Sequence, residues 1–99
     1  MKTRLAGPDH DRRLMFWCPG CDEAHGVRIS GVQPWTWDGH RDRPTVTPSI
    51  LVTGHSPERR CHSLLRQGRL EYQGDCSHEM GNQIADLPEW PTGEGWNDE

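Results

Sequence analysis

No apolar run in this chain approaches the roughly 18–20 residues needed to cross a bilayer. The opening MKTRLAGPDHDRRL also lacks the apolar stretch of a secretory signal. A soluble protein of the cytoplasm is therefore expected. Lysine is nearly missing: of 11 bases ten are arginine and one is Lys2. That bias favours planar, bidentate contacts to carboxylate or phosphate, and a GC-rich codon usage gives the same result. Catalytic signatures are missing as well. There is no HExxH, no phosphate-binding loop, no dinucleotide fingerprint, and no His-x-Glu to go with a Pro-Cys-x-x-Cys, as deaminases require. Ser49, Ser56, Ser63 and Ser77 sit in no nucleophile motif, so no catalytic residue is assigned from the sequence.

Long uninterrupted segments are scarce too. Eight prolines and 11 glycines are scattered through 99 residues, leaving few windows for a helix of the usual ~11 residues. Short strands and loops are expected instead. Only 31% of the residues are hydrophobic, and a domain of this length sits near the lower limit for a fold held by apolar burial alone, so an additional staple is expected. The formal charge is -4, but residues 86–99 hold five acids and no base. The body is close to neutral, which argues against a strongly basic nucleic-acid surface.

The reading along the chain is one small β domain. Residues 1–12 are expected to be a flexible segment, 13–88 a zinc-stabilised β domain, and 89–99 an acidic, irregular arm in which Trp90 or Trp96 docks. RRLMFW reads as a strand entering the turn Cys18-Pro19-Gly20-Cys21, and 25–30 as its hairpin partner, an arrangement called a zinc knuckle. Residues 31–48 are turn-rich, and 49–53 read as a short buried strand. In CHSLLRQGRLEYQGDCSH, two apolar stretches flank Gln67-Gly68, a two-residue hairpin loop. It pairs Arg66 with Arg69, Leu65 with Leu70, Ser63 with Tyr72 and Cys61 with Gly74. Period-2 alternation then puts Cys61, Leu65, Leu70 and Tyr72 on one face, continued by Cys76 and His78, with His62 pointing the other way. The five tryptophans, beside one Phe and one Tyr, are expected to be the main core material.

Four cysteines in the pattern C-x2-C-x39-C-x14-C suit one tetrahedral Zn²⁺ of the structural kind, joining zinc-ribbon-like hairpins. Cys18, Cys21 and Cys61 are three ligands, and Cys76 or His78 is the fourth, with Cys76 ahead. His25 and His62 are weaker candidates, and His10, His40 and His55 read as surface groups. A thioredoxin-like redox pair would need Cys18 at a helix start, and a Cys61–Cys76 disulfide does not suit a reducing compartment. Trp35 and Trp37, with Arg41 and Arg43 nearby, form a candidate interaction surface or a stacking platform for single-stranded nucleic acid. An open metalloenzyme site from Cys18, Cys21 and His78, with Glu79 or Asp75 beside it, is a further alternative.

The stretches MFWCPGCDEAHGV, WTWDGHRDRPTVTPSILV, RCHSLLRQGRLEYQGDCSH and IADLPEW resemble a family of small uncharacterised proteins of tailed bacteriophages and prophages, catalogued as a domain of unknown function. Some members carry the label ammonia monooxygenase. That label does not suit a chain with no membrane span and no His-rich oxygen-activating site. The resemblance implies zinc on Cys18, Cys21, Cys61 and either Cys76 or His78. It also implies a phage accessory protein in the cytoplasm of a bacterial host, acting as a protein-protein interaction module on a host or phage protein, such as a component of host defence or of gene expression. One departure is Glu79-Met80-Gly81-Asn82-Gln83, where a run of small residues is expected, and the path after His78 is left open.

Overall fold

In the computed structural model, which describes residues 1–53 and 58–91, the chain forms two antiparallel sheets facing one core. It is the small, β-rich fold that the breaker-filled composition predicts. The first sheet has the order β1-β2-β3, from β1 (Thr3–Ala6), β2 (Arg13–Cys18) and β3 (Glu23–Arg28). Along β2 the period of two buries Leu14, Phe16 and Cys18. Opposite them on β3 lie Val27, His25 and Glu23. The opening dozen residues are not the loose segment expected. Thr3 pairs with Phe16 and Leu5 with Leu14, because a β2 buried on one face still has a free edge that a neighbouring strand satisfies. Gly7, at φ +90, makes the turn that follows; a Cβ there would sit 2.5 Å from the Asp11 carbonyl oxygen.

The second sheet runs β4-β5-β6-β7-β8, from β4 (Thr36–Trp37), β5 (Val46–Val52), β6 (Cys61–Arg66), β7 (Arg69–Tyr72) and β8 (Ile84–Asp86). The β6–β7 hairpin has the expected register, with Arg66 against Arg69, Leu65 against Leu70 and Ser63 against Tyr72. Its loop residues Gln67 and Gly68 have φ of 49 and 76, the left-handed pair that a primed two-residue turn demands. β7 then ends at Tyr72. Cys76 and His78 therefore do not continue its alternation; they lie on a turn that leads to β8, a strand the sequence does not reveal.

The core holds Leu14, Phe16 and Val27 from the first sheet, and Val46, Ile50, Leu65, Leu70 and Tyr72 from the second, with Leu87. The indoles are not its main material. Trp90 is buried, but Trp17, Trp35 and Trp37 are only half-buried, and Trp96 lies outside the described residues. An indole N–H favours a place with an acceptor. Trp35 and Trp37 find theirs at the Ser49 and His40 carbonyls, at 3.3 and 3.0 Å, toward the sheet margin. Trp90 docks edge-on against Trp17, with ring centroids 6.5 Å apart. Glu89 meets the Met1 amino group at 2.8 Å. Among the described residues no helix is long and apolar enough to cross a membrane.

Candidate functional site

The second sheet has an outer face, and its polar groups converge at one place. On β6 the core takes Cys61, Ser63 and Leu65, so His62 and Leu64 project outward. β5 runs antiparallel beside it, with Leu51 opposite His62 and Ile50 opposite Ser63. Ser49, two residues before Leu51, shares that outer face. The Ser49 hydroxyl meets His62 Nε2 at 3.1 Å. Across the imidazole, Nδ1 lies 3.1 and 3.2 Å from the two carboxylate oxygens of Asp75.

Asp75 reaches this position because the turn after β7 is latched to the start of β6. The Gln73 N–H donates to the His62 carbonyl at 2.8 Å, and the Ser77 N–H to the Arg60 carbonyl at 2.8 Å. The Arg60 N–H donates in return to Ser77 Oγ at 2.9 Å. Between these, the Cys76 thiol donates to the His62 carbonyl at 3.2 Å and accepts the His62 N–H at 3.3 Å. The Arg60 guanidinium stands 3.2 Å from Asp75 Oδ2. Partial desolvation opposes ionisation of Asp75, but the hydrogen bonds from Arg60 and His62 outweigh it and hold the carboxyl below its ordinary range. A carboxylate facing Nδ1 fixes the imidazole with its proton on that nitrogen, leaving the Nε2 lone pair aimed at the serine hydroxyl. That is the arrangement of a Ser-His-Asp triad. The three residues lie 13 apart along the chain and then 13 again, in no local motif. The available signal was the outward parity of His62.

Behind His62, on the core side, lies a second cluster. Cys18 and Cys21 flank the turn between β2 and β3, His25 lies on β3, and Cys61 begins β6. Their ligand atoms all lie within 4.8 Å of one another, so the four could hold a metal ion. Cys18 Sγ and Cys61 Sγ are 3.8 Å apart, close to the ~3.8 Å edge of a tetrahedron of sulfurs at ~2.3 Å from zinc. His25 is buried. Its Nδ1 faces the Ala24 carbonyl at 3.1 Å, which places the proton there, and its Nε2 is buried with no hydrogen-bond partner. A buried lone pair aimed at thiols is what a metal ligand looks like before its ion is considered.

Cys76 and His78 form a different group around Cys61, and both are otherwise engaged. The Cys76 sulfur is committed to the His62 backbone as described. His78 Nδ1 accepts the Met80 N–H at 3.2 Å, so its proton sits on Nε2 and points at Cys61 Sγ, 3.4 Å away. The ring lies against the knuckle turn: a Cβ on Gly20 would fall 2.5 Å from His78 Cε1. Hydrogen bonds surround Cys18 too, from Tyr72 Oη at 3.1 Å and the Cys21 N–H at 3.4 Å. The hydrogen bond from Cys61 has the largest effect, and with those from Tyr72 and the Cys21 N–H it overcomes burial and brings the Cys18 thiol down to about 3. Once Cys18 is charged, Cys61 is pushed up, first by that hydrogen bond and then by burial. Cys21 is raised chiefly by burial, and Tyr72 by burial and then by Cys18.

Of the candidate interaction residues, Trp35, Trp37 and Arg41 have partners of their own. Trp35 leans on Ser49, and Trp37 on the His40 carbonyl. Arg41 reaches back to Thr3, with Nη2 at 3.1 Å from its carbonyl. Arg43 is exposed beside Asp38, His40, Thr45 and Gln67. His10 and His40 are exposed, and His55 lies outside the described residues.

A family model described as bacterial ubiquitination-like system serine protease (BubE) matches residues 2–73, a span that runs from β1 through the β6–β7 hairpin and contains Ser49, His62, Cys18, Cys21, His25 and Cys61. No curated protein and no solved structure matches the chain.

Proposed function

The chain belongs to the family of bacterial ubiquitination-like system serine proteases (BubE), and from that premise we propose that it is a serine protease with Ser49 as nucleophile, His62 as general base and Asp75 as the group that orients it. One observation carries this reading: the continuous hydrogen-bonded chain from Ser49 Oγ through both imidazole nitrogens to the Asp75 carboxylate. His62 Nε2 takes the hydroxyl proton as Oγ adds to an amide carbon. The same imidazolium returns the proton to the leaving amine as the C–N bond breaks. Water, activated by His62 in turn, then hydrolyses the acyl ester on Ser49. Asp75 stays ionised throughout and stabilises the imidazolium. The protein-binding role expected from the sequence becomes, in this reading, recognition of a protein substrate belonging to a ubiquitination-like system.

The metal in this reading is one structural Zn²⁺ on Cys18, Cys21, Cys61 and His25. His25 stands in place of Cys76 or His78 because its Nε2 is free of a proton and the other two groups are engaged. Such an ion, when bound, supplies a closed tetrahedral crosslink and no catalytic position. His78 donates to the Cys61 sulfur from outside the ligand set and helps to orient that sulfur.

A fluorophosphonate probe, which phosphonylates activated serines, tests the triad. Labelling is expected at Ser49 by peptide mass, and is expected to vanish in Ser49→Ala and His62→Ala variants that keep the native circular dichroism. No labelling of the folded protein, or labelling undiminished by Ser49→Ala, would overturn the proposal.

A further inference from the structure

β5 pairs at both of its ends on one side only, with an irregularity between Val46 and Ile50. Toward β6 it has partners at Val46, Ile50, Leu51 and Val52. Toward β4 it has partners only at Val46 and Thr47, so among the described residues no strand covers its edge from Pro48 onward. Two observations fix which peptide groups face that edge. The Ser49 carbonyl is on the open side, where the Trp35 indole donates to it at 3.3 Å. The His62 backbone directs both its groups toward the β7 side, the carbonyl accepting from Gln73 and the N–H donating to Cys76. Its opposite number Leu51 therefore exchanges no ladder bond with it, and the Leu51 N–H and C=O point to the open edge. The Leu51 side chain is half-exposed, at 51%.

The same edge adjoins a cavity of about 340 Å³ lined by Gln33, Pro34, Trp35 and Pro48. None of these side chains is charged. Pro48 is the neighbour of the nucleophile, and Trp35 is bonded to the nucleophile's own carbonyl. His62 occupies the β6 side of the Ser49 hydroxyl, so an attacked carbonyl has to approach from the opposite side, where the open edge and the cavity lie.

We propose that the substrate binds as an extended strand added to the free edge of β5, its main chain held by the Leu51 N–H and C=O, and seats an uncharged, apolar side chain near the scissile bond in the Trp35 cavity. Strand addition supplies affinity through main-chain bonds, while a pocket reading alternate side chains supplies specificity. It also selects the substrate's state: an unfolded tail or linker can lie on a strand edge, and a residue within a folded domain cannot. The proposal rests on Ser49 being the nucleophile.

The test leaves the protein unaltered and changes the peptide. Internally quenched peptides covering all side chains at each position around a cleavable bond are turned over, and the best is remade with single N-methyl groups walked along it. Cleavage is expected to favour Leu, Val, Met or Phe over Asp or Lys by about 100-fold at one position, since a charge in an uncharged pocket loses its hydration. N-methylation is expected to lower kcat/KM by about tenfold or more at one residue that bonds to Leu51, and little at its immediate neighbours. Fluorophosphonate labelling of Ser49 is measured in parallel. If Ser49 is labelled but cleavage is indifferent to both changes, the added strand is wrong and the triad stands. If Ser49 is not labelled, the nucleophile assignment falls and this proposal falls with it.

Discussion

At the scale of single residues, the site depends on which nitrogen carries which proton. Asp75 holds the His62 proton on Nδ1, and an amide in its place offers an N–H as readily as an oxygen. Asp75→Asn is therefore expected to lower kcat by about 10³-fold or more with little effect on KM, as loss of the correct tautomer does in other triads; steady-state kinetics on a peptide substrate check it. Arg60 acts one step further out. The folded-state pKa of Asp75 is depressed, so whatever stability its ionisation contributes is present above the ordinary carboxylate range and is lost as pH falls through the depressed value. Arg60→Met removes a hydrogen bond to the carboxylate and is expected to move that loss to higher pH. Carbon-13 NMR titration of the Asp75 carboxyl reads the shift directly, and an unmoved titration would show that Arg60 does not hold it.

At the scale of elements, the turn after β7 decides the site, because it carries Asp75 to the triad, Cys76 to the His62 backbone and His78 to the Cys61 sulfur. These roles set Cys76 apart from the other three cysteines, with which its spacing groups it in the sequence. Cys76→Ala removes two backbone contacts of about 1 kcal/mol each at most and, on the proposed ligand set, no ligand. It is expected to keep one metal per chain while lowering kcat, since His62 loses its support. His25→Ala is expected to abolish stoichiometric metal, whereas His78→Ala is expected to retain it with affinity weakened about 10–100-fold. Elemental analysis of the three purified variants checks all of this. Metal lost from Cys76→Ala and kept in His25→Ala would reverse the assignment.

For the molecule as a whole, strand pairing among the described residues closes within each sheet, so no strand ladder joins the two and side chains carry much of the contact between them. Those side chains include the apolar core and the cluster that could hold a metal ion, to which the first sheet and its turn contribute Cys18, Cys21 and His25 and the second contributes Cys61. Apparent binding energies of structural zinc run to about 10–16 kcal/mol, comparable to the whole stability of a small domain. Stripping the ion with a strong chelator is expected to lower the melting temperature by more than about 10 °C. It is also expected to abolish hydrolysis, because Cys61 is the residue before His62. Circular dichroism melts and activity measured on one sample, then again after zinc is restored, check both. An unchanged melt would show that the apolar core holds the sheets by itself.

Local chemistry made part of this legible in the sequence. Gln67-Gly68 determined the β6–β7 register, and the period of two then determined that Cys61 faces inward and His62 outward. The Cys18-Pro19-Gly20-Cys21 turn marked the knuckle, and scattered prolines and glycines excluded long helices. Such features need only a residue and its near neighbours. The triad could not be read this way, because Ser49, His62 and Asp75 meet through the pairing of β5 with β6 and the latching of a turn, and spacing along the chain does not encode pairing across it. The fourth member of the metal cluster was hidden for a related reason: which histidine nitrogen is free depends on a partner such as Ala24 or Met80, and only the folded chain sets that partner's distance. β1, too, was decided by tertiary structure, since a polar opening segment becomes a strand when β2 has an edge left to pair.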